Sequence, residues 1–233
     1  MRVIFITTII FTLISCTNSK NKNMGMFDKL FGKNQKAQST EQPKSQQQIF
    51  QIEKTAETLN EDLFWKIIDK SLQETNNQDS QEQYLIKEIG KLTPKELIGF
   101  RLQTDKLLYE TYNSEMWCAG YIMNGGCSDD SFEYFRNWVI SRGRDTYYKA
   151  KENPDYLINE VVDGAEFYDF ESFWYVALEA FQQKTGKDLY DYIDYDNFRL
   201  REGNYPQIEF TWEDDKPESM KKICPRLFEK MWN

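Results

Sequence analysis

Side chains that could carry out chemistry gather in one short stretch of this 233-residue chain, between positions 124 and 144. Two glycines are followed by a cysteine, a serine and two aspartates, and three arginines come later. A thiol at a helix N-terminus can ionise more readily than usual, carboxylates can bind Mg²⁺ or exchange protons, and arginines can hold an anion. The candidate residues are Asn124, Gly125, Gly126, Cys127, Ser128, Asp129, Asp130, Arg136, Trp138, Arg142 and Arg144.

The same stretch also has a purely structural interpretation, as the corner between two helices. Helical spacing runs up to Asn124, and Asn and Gly tolerate the left-handed dihedrals that end a helix. Ser128 can cap the next helix, whose first turn favours acids, and Arg142-Gly143 can end it. We favour this interpretation, in which Trp138 lies along the second helix and Asp130 pairs with an arginine one turn away in a mostly buried position.

Histidine is absent from the whole chain, and this excludes several kinds of site. Ser-His-Asp and Cys-His catalysis are ruled out, as are the common zinc sites that contain histidine. Asp129 and Asp130 diverge by roughly 100° on a helix, so they are poorly placed to share one ion. We therefore assign no catalytic residue, no metal ligand and no cofactor from the sequence.

The sequence does not decide whether two of the cysteines form a disulfide bond. Cys118 and Cys127 could form a disulfide across the corner if the protein is exported, and Cys224 would then remain unpaired. We favour free thiols, because disulfide geometry is demanding.

Charge is distributed unevenly along the chain. Residues 1–49 hold seven of the 29 basic and two of the 38 acidic residues, a net charge of +5. The remaining 22 basic and 36 acidic residues give a net charge of −14. A domain this acidic would repel nucleic-acid phosphates, so we expect no nucleic-acid partner. A basic protein partner is compatible with it.

The N-terminal segment has the layout of a bacterial lipoprotein signal peptide. Arg2 precedes an apolar run from Val3 to Ile14, which is too short to span a bilayer as a helix. The run ends in Leu-Ile-Ser-Cys, which resembles the lipobox, in which the cysteine is lipidated and becomes the first mature residue. We therefore expect a signal peptide over 1–15, lipidation of Cys16, and an envelope location with the lipid anchor as the only membrane contact.

Residues 16–49 are expected to form the lipidated N-terminus and a flexible tether, because no apolar residue larger than Ala occurs between Asn34 and Gln48. One alternative stays open. The stretch MGMFDKLFGK, beginning at Met24, is typical of the start of a cytosolic protein. If translation begins there, the protein is cytoplasmic.

Residues 50–233 are predicted to form a single compact, mainly α domain. Asn60 and Thr93 are strong helix starts, the latter with Pro94 and Glu96 in a capping box, and Gly186 is a natural helix end. The polar stretch after Leu72 is expected to begin as a loop. The alternation at 207–212 predicts one short strand or extended segment. The predicted helices begin at Asn60, near Tyr84, at Thr93, near Ser114, at Ser128, near Phe170 and after Pro225.

A longer pattern links the corner to a known family. MWCAGYIMNGGCSDDSFEYFRNWVISRGRDTYY resembles the signature of a bacterial family called domain of unknown function 4240 (DUF4240). NEDLFWKIIDKS, LTPKELIGFRLQTDKLLYETYNSEMW and FESFWYVALEAFQQKTGKDL are similar to other parts of it, so the likeness covers about Asn60 to Asp188, and CPRLFEKMW is also similar. The resemblance implies a helical domain with no established activity and no catalytic residue to carry over. Members of this family mostly look cytosolic, so the lipobox is a departure.

Two functions follow as hypotheses. The first is an acidic, non-enzymatic binding module tethered to the envelope, which recognises a protein or a small ligand. An immunity or inhibitor protein that neutralises a basic toxin is one form of it. The second is an enzyme without histidine, which would use Asp129, Asp130 or a glutamate in a cleft near Arg136. We favour the first.

Overall fold

The computed structural model describes residues 51–232. The predicted signal peptide (1–15), Cys16 and the tether (16–49) therefore lie outside the described residues. Residues 51–232 form helices and no β-sheet, which confirms the mainly α prediction. The α-helices are α1 (Glu61–Glu74), α2 (Gln78–Ile89), α3 (Pro94–Glu110), α4 (Ser114–Asn124), α5 (Asp129–Ser141), α6 (Arg144–Glu152), α7 (Val176–Thr185), α8 (Pro217–Ile223) and α9 (Pro225–Met231). Short 3₁₀ helices span Pro154–Glu160, Glu171–Tyr175 and Leu189–Tyr192.

The predicted helix ends form where local signals are strongest. The Asn60 side chain accepts a hydrogen bond from the Leu63 N–H at 3.0 Å and so begins α1. Thr93 begins α3 through the predicted capping box, in which Glu96 Oε2 accepts from the Thr93 N–H at 2.8 Å. At the end of α7, Gly186 adopts the left-handed conformation with φ of 69°. These confirmed ends use partners within four residues.

One helix start differs from the prediction, and at 207–212 the structure decides between the two alternatives, a strand or an extended segment. Helix α2 begins at Gln78, within the stretch predicted to begin as a loop, because Asn77 and Ser80 form a reciprocal capping box. Residues 207–212 form no strand, because no neighbouring segment pairs with them. The backbone bridge that the structure does contain joins Thr55 to Ile193.

Helix α6, which the sequence did not indicate, owes its start to a distant residue. Its cap position, Gly143, has no side chain, and the first N–H of the helix, that of Arg144, donates instead to Asp69 Oδ1 of α1 at 3.0 Å. Gly143 has φ of 93°, and a Cβ there would lie 2.6 Å from the same Asp69 oxygen. Helix α6 therefore depends on glycine at 143 and on the docking of α1.

Helix α3 lies at the centre of the domain and packs against α1, α5 and α7. Most of its side chains are buried, and the charged residues Arg101 and Asp105 are among them. At the other end of the domain, α8 and α9 pack on α4. Within residues 51–232, no helix combines the length and apolar character needed to cross a membrane.

Replacing Gly143 with Ala tests the α1–α6 contact. We expect Gly143→Ala to lower the free energy of unfolding by about 2 to 4 kcal/mol, because the positive φ is unfavourable for alanine and the new methyl displaces the Asp69 cap. Urea unfolding measures the loss. Gly125→Ala is the matched control, since Gly125 has φ of 65° but nothing within 4 Å of its Cβ position, and it should cost about 1 kcal/mol. Equal costs for the two variants would contradict this explanation.

Candidate functional site

The glycine corner joins α4 to α5 as the structural interpretation predicted. Gly125 takes the left-handed conformation, and the N–H groups of Gly125 and Gly126 both donate to the Tyr121 carbonyl. The Asn124 side chain has a role that the sequence did not indicate. Its Oδ1 accepts from the Tyr168 N–H at 2.8 Å, and its Nδ2 donates to the Tyr168 carbonyl at 3.3 Å. The corner therefore also anchors the chain segment that leads to α7.

Ser128 caps α5, and the two aspartates follow in the first turn. The Ser128 hydroxyl accepts from the Ser131 N–H at 3.3 Å. Asp129 and Asp130 are exposed, and neither forms an ion pair with any residue from 51 to 232. The predicted buried pair between Asp130 and an arginine is therefore wrong, because the first turn points Asp130 into solvent.

Cys127 is a free, half-buried cysteine at the corner. Burial raises the pKa of the Cys127 thiol to about 12, which outweighs the opposing effect of the nearby Arg136 charge. The lowered pKa considered from its place before a helix is therefore wrong. The Cys127 carbonyl accepts a hydrogen bond from Trp117 Nε1 at 3.1 Å, so the residue helps to pack the corner.

The other predicted residues do not converge on one site. Trp138 is buried in the core, with its ring 5.1 Å from that of Tyr168. The Arg142 guanidinium donates to Gln81 Oε1 at 2.7 Å, which ties the end of α5 to α2. The exposed Arg144 pairs with Asp62 at 2.8 Å. Arg142, Gly143 and Arg144 line a cavity of about 530 Å³ together with residues of α1 and α6, but the candidates from Asn124 to Trp138 do not line it.

Arg136 differs from the other candidate residues in its surroundings. It is a buried cation with no carboxylate within salt-bridge distance among the described residues. Its Nη1 donates to the Leu108 carbonyl at 2.5 Å and to the Tyr205 hydroxyl at 3.4 Å. The rings of Phe132, Tyr205 and Tyr112 lie 4.5, 5.0 and 5.1 Å from its guanidinium carbon. Aromatic faces attract a cation, so this cage stabilises a charge that burial alone would destabilise.

A cavity of about 210 Å³, which we call the charged cleft, lies between α3 and the segment from Tyr190 to Glu202. Its wall on α3 is an ion pair in which Arg101 Nη2 lies 2.7 Å from Asp105 Oδ1. The Arg101 guanidinium also stacks 3.2 Å from the centre of the Trp174 ring. The lining residues are Arg101, Asp105, Trp174, Tyr190, Tyr195, Arg201 and Glu202.

Two carboxyl groups have raised pKa values: that of Asp105, which lines the charged cleft, and that of Glu133, which does not line it but lies near it. Burial raises the pKa of Asp105 to about 6, although Arg101 acts in the opposite direction. Burial also raises the pKa of Glu133, on α5, to about 7, and the nearby Glu202 adds to the effect while Arg136 and Arg101 oppose it. Glu133 has no ion-pair or hydrogen-bonding partner for its carboxyl among residues 51–232. It is the one partly buried carboxyl near the cleft that stands without a partner there.

Arg201 and Glu202 reach the charged cleft from the irregular segment that follows the 3₁₀ helix at Leu189–Tyr192. The Arg201 guanidinium lies 4.6 Å from the centre of the Tyr195 ring, and its buried Nε has no hydrogen-bond partner within the described part of the chain.

Arg101 and Asp105 could have been noticed in the sequence, because they occupy the apolar face of α3 four residues apart. Arg201 and Glu202 carry no periodic signal. No cluster suited to a metal ion occurs between residues 51 and 232.

A family model described as a protein of unknown function, DUF4240, matches residues 59–183, which is more than half of the chain. The chain belongs to the DUF4240 family. No curated protein and no solved structure matches it. The part that matches DUF4240 includes Arg101, Asp105, Glu133 and Arg136. Tyr190, Tyr195, Arg201 and Glu202 lie beyond it, so the matched helices form one side of the cleft and the C-terminal segment forms the other.

The pKa of Glu133 predicts a pH-dependent stability. Because its folded pKa is about 7, above the ordinary value of 4.5, the folded domain binds this proton more tightly than the unfolded chain does. The contribution of Glu133 to stability should therefore increase as the pH falls from 8 to 5. We expect Glu133→Gln to be more stable than the unsubstituted protein at pH 8 by about 1 to 2 kcal/mol, allowing for solvent screening at this half-buried site.

Urea unfolding at several pH values checks this expectation. The difference between Glu133→Gln and the unsubstituted protein should shrink toward zero at pH 5, where Glu133 is protonated in the folded state. Glu152→Gln, at an exposed position near the end of α6, is the matched control and should show no such pH dependence. A Glu133→Gln difference that is constant across this pH range would contradict the raised pKa.

Proposed function

We propose that this protein is an acidic binding module for a basic partner, and that one cationic group of the partner enters the charged cleft. The net charge of −14 over residues 50–233 favours encounter with a basic protein. The cleft supplies a specific acceptor within this general attraction. A neutraliser of a basic toxin, of the immunity or inhibitor type, is one form that such a module takes.

The observation that carries the proposal is the partly buried carboxyl of Glu133, which has no partner among residues 51–232. Glu133 is not a lining residue, but Arg101, Asp105 and Glu202 of the lining are close enough for their charges to affect its pKa. Its pKa of about 7 means that ionising it in place is costly, so a positive charge brought beside it gains interaction energy. The arginines nearest to it are already engaged. Arg136 is bonded to the Leu108 carbonyl and enclosed by rings, and Arg101 is paired with Asp105. A ligand cation would supply the missing partner.

The dimensions and walls of the charged cleft suit a single side chain. Its volume of about 210 Å³ is smaller than the pockets that hold drug-sized ligands, which are roughly 300 to 1,000 Å³. Tyr190 offers an aromatic face to a lysine ammonium or an arginine guanidinium, whereas the Tyr195 ring already faces Arg201. The exposed Glu202 provides a second carboxylate at the entrance.

Tetralysine is a suitable probe of this site. We expect it to bind the protein at pH 7 with release of about half a proton, because a cation beside Glu133 lowers a pKa that starts near 7. Isothermal titration calorimetry in two buffers of different ionisation enthalpy measures the proton release. Glu133→Gln should abolish this release and weaken binding about tenfold, which corresponds to about 1.4 kcal/mol.

Two controls separate the cleft from general attraction to an acidic surface. Tetralysine acetylated at every ε-amine should not bind. Glu152→Gln removes the same charge at an exposed site and should leave affinity and proton release unchanged. If Glu133→Gln and Glu152→Gln bind tetralysine equally well, the cleft is not the recognition site.

We further propose that the module is held at the cell envelope by lipidated Cys16, with residues 16–49 as its tether. The signal-peptide layout and the basic leader support this location. Envelope anchoring would position the acidic domain to meet a partner there.

Mass spectrometry of the native N-terminus tests the anchor. We expect an N-terminal peptide that begins at Cys16 and carries a thioether-linked diacylglycerol. Cys16→Ala should abolish the lipid and release the protein from the membrane fraction. An unmodified peptide that begins at Met24 or Gly25 would instead indicate cytoplasmic translation from the alternative start.

An enzyme that acts through carboxylates is the second candidate function, and Glu133 is again the reason. A pKa of about 7 suits a general acid or base near neutral pH. The candidate has less support because Asp129 and Asp130 are exposed and Asp105 is engaged by Arg101. Its catalytic glutamate would be Glu133, so Glu133→Gln would abolish turnover while Glu152→Gln would not.

A further inference from the structure

Two buried thiols from distant parts of the chain meet where α8 and α9 pack on α4. Cys118 lies within α4, and Cys224 lies at the junction of α8 and α9. Both are completely buried and both are free thiols in the structure. The Met220 carbonyl oxygen joins them: the Cys118 Sγ lies 3.9 Å from it, and the Cys224 N–H donates to it at 2.9 Å. The two cysteines therefore meet at the same backbone carbonyl, one turn before Cys224.

This arrangement replaces the pairing considered from the sequence. A Cys118–Cys127 bond across the glycine corner would leave Cys224 over, but Cys118 points toward α8. Cys127 belongs to the other side of the corner, where its carbonyl is bonded to Trp117. Cys224 is therefore the neighbour with which Cys118 can react.

We propose that Cys118 and Cys224 form a disulfide bond when the protein folds in an oxidising compartment. With a low-molecular-weight disulfide such as glutathione disulfide as oxidant, one cysteine thiolate attacks it and releases one glutathione thiolate. The second cysteine thiolate then attacks the mixed disulfide, forms the Cys118–Cys224 bond and releases the second glutathione. Two electrons pass to the oxidant, and the two protons of the cysteine thiols end on the two glutathione molecules.

Burial decides when this bond forms. Neither thiol is accessible in the folded protein, and the neighbouring Cys118 thiol, together with burial, raises the pKa of Cys224, so little Cys224 thiolate is available for attack. Oxidation therefore accompanies folding, before the α8–α9 pair closes over Cys118. The proposal concerns the C-terminal helices and is independent of the charged cleft.

The bond would link the junction of α8 and α9 covalently to α4. Helices α8 and α9 have seven residues each and lie outside the region that matches DUF4240, whereas α4 lies inside it. A link between α4 and Cys224 closes a loop of about a hundred residues, a length at which a disulfide restricts the unfolded chain strongly. We expect the oxidised protein to melt about 10 °C higher than the reduced protein.

Oxidative refolding tests the proposal in the full chain carrying Cys16→Ala, so that the thiols of interest are Cys118, Cys127 and Cys224. The protein is unfolded, reduced and refolded with a mixture of glutathione and glutathione disulfide, and a parallel sample is refolded under reduction. Circular dichroism establishes that both samples are helical. Non-reducing peptide mapping should then show a Cys118–Cys224 linkage, with Cys127 alkylated by a thiol reagent.

Single substitutions supply the controls. Cys127→Ser should keep both the linkage and the difference in melting temperature between the oxidised and reduced samples. Cys118→Ser and Cys224→Ser should each remove both. A helical, oxidised sample in which all three thiols are alkylated, or in which Cys118 is linked to Cys127, would overturn the proposal. The peptide map of the chain with its three cysteines intact decides this even if a serine variant does not fold.

Discussion

The domain is organised around a positive charge that it cannot neutralise with a carboxylate. Arg136 is almost completely buried, and withdrawing a guanidinium from water is costly unless its donors and its charge are accommodated. The domain accommodates it with the Leu108 carbonyl of α3, the Tyr205 hydroxyl of the C-terminal segment and three aromatic rings. Helices α3 and α5 and the segment around Tyr205 must therefore remain together. Because Arg136 is engaged in this way, the carboxyl of Glu133, one helical turn away on α5, has no ion-pair partner within the described part of the chain.

A second buried guanidinium, that of Arg101, lines the charged cleft and, unlike that of Arg136, is paired with a carboxylate. Arg101 is paired with Asp105 on its own helix and stacked on Trp174, so its charge is locally balanced. The cleft thus has one satisfied ion pair on its α3 wall and an unsatisfied carboxyl beside it. Four of its seven lining residues come from beyond the region that matches DUF4240, so the family match covers only part of the cleft lining. Chains that share the helices but differ in this C-terminal segment would present different clefts.

The sequence predicts the features of this protein that depend on neighbours within one helical turn. Asn60, Thr93, Ser128 and Gly186 all act at helix ends as expected, because caps use partners three or four residues away. The start of α2 was placed too late because its Asn77–Ser80 capping box lies in a polar stretch that also reads as a loop. The charged cleft was missed for a different reason. Arg101 bonds the carbonyl of Trp174, 73 positions away, and Arg136 meets Tyr205, 69 positions away, and neither spacing leaves a local pattern.

The cap that Asp69 provides to α6 has a consequence for the order in which the chain can fold. The bonded groups are 75 positions apart, so the first turn of α6 is not nucleated by its own sequence. A nine-residue segment is too short to be a stable helix in isolation. The cap on α6 forms only after α1 has docked against it, which closes the long loop between Asp69 and Arg144. We therefore expect helix α6 to form late in folding, with the contacts of high sequence separation. During synthesis on the ribosome, its stretch of chain would remain without a formed helix until α1 reached it.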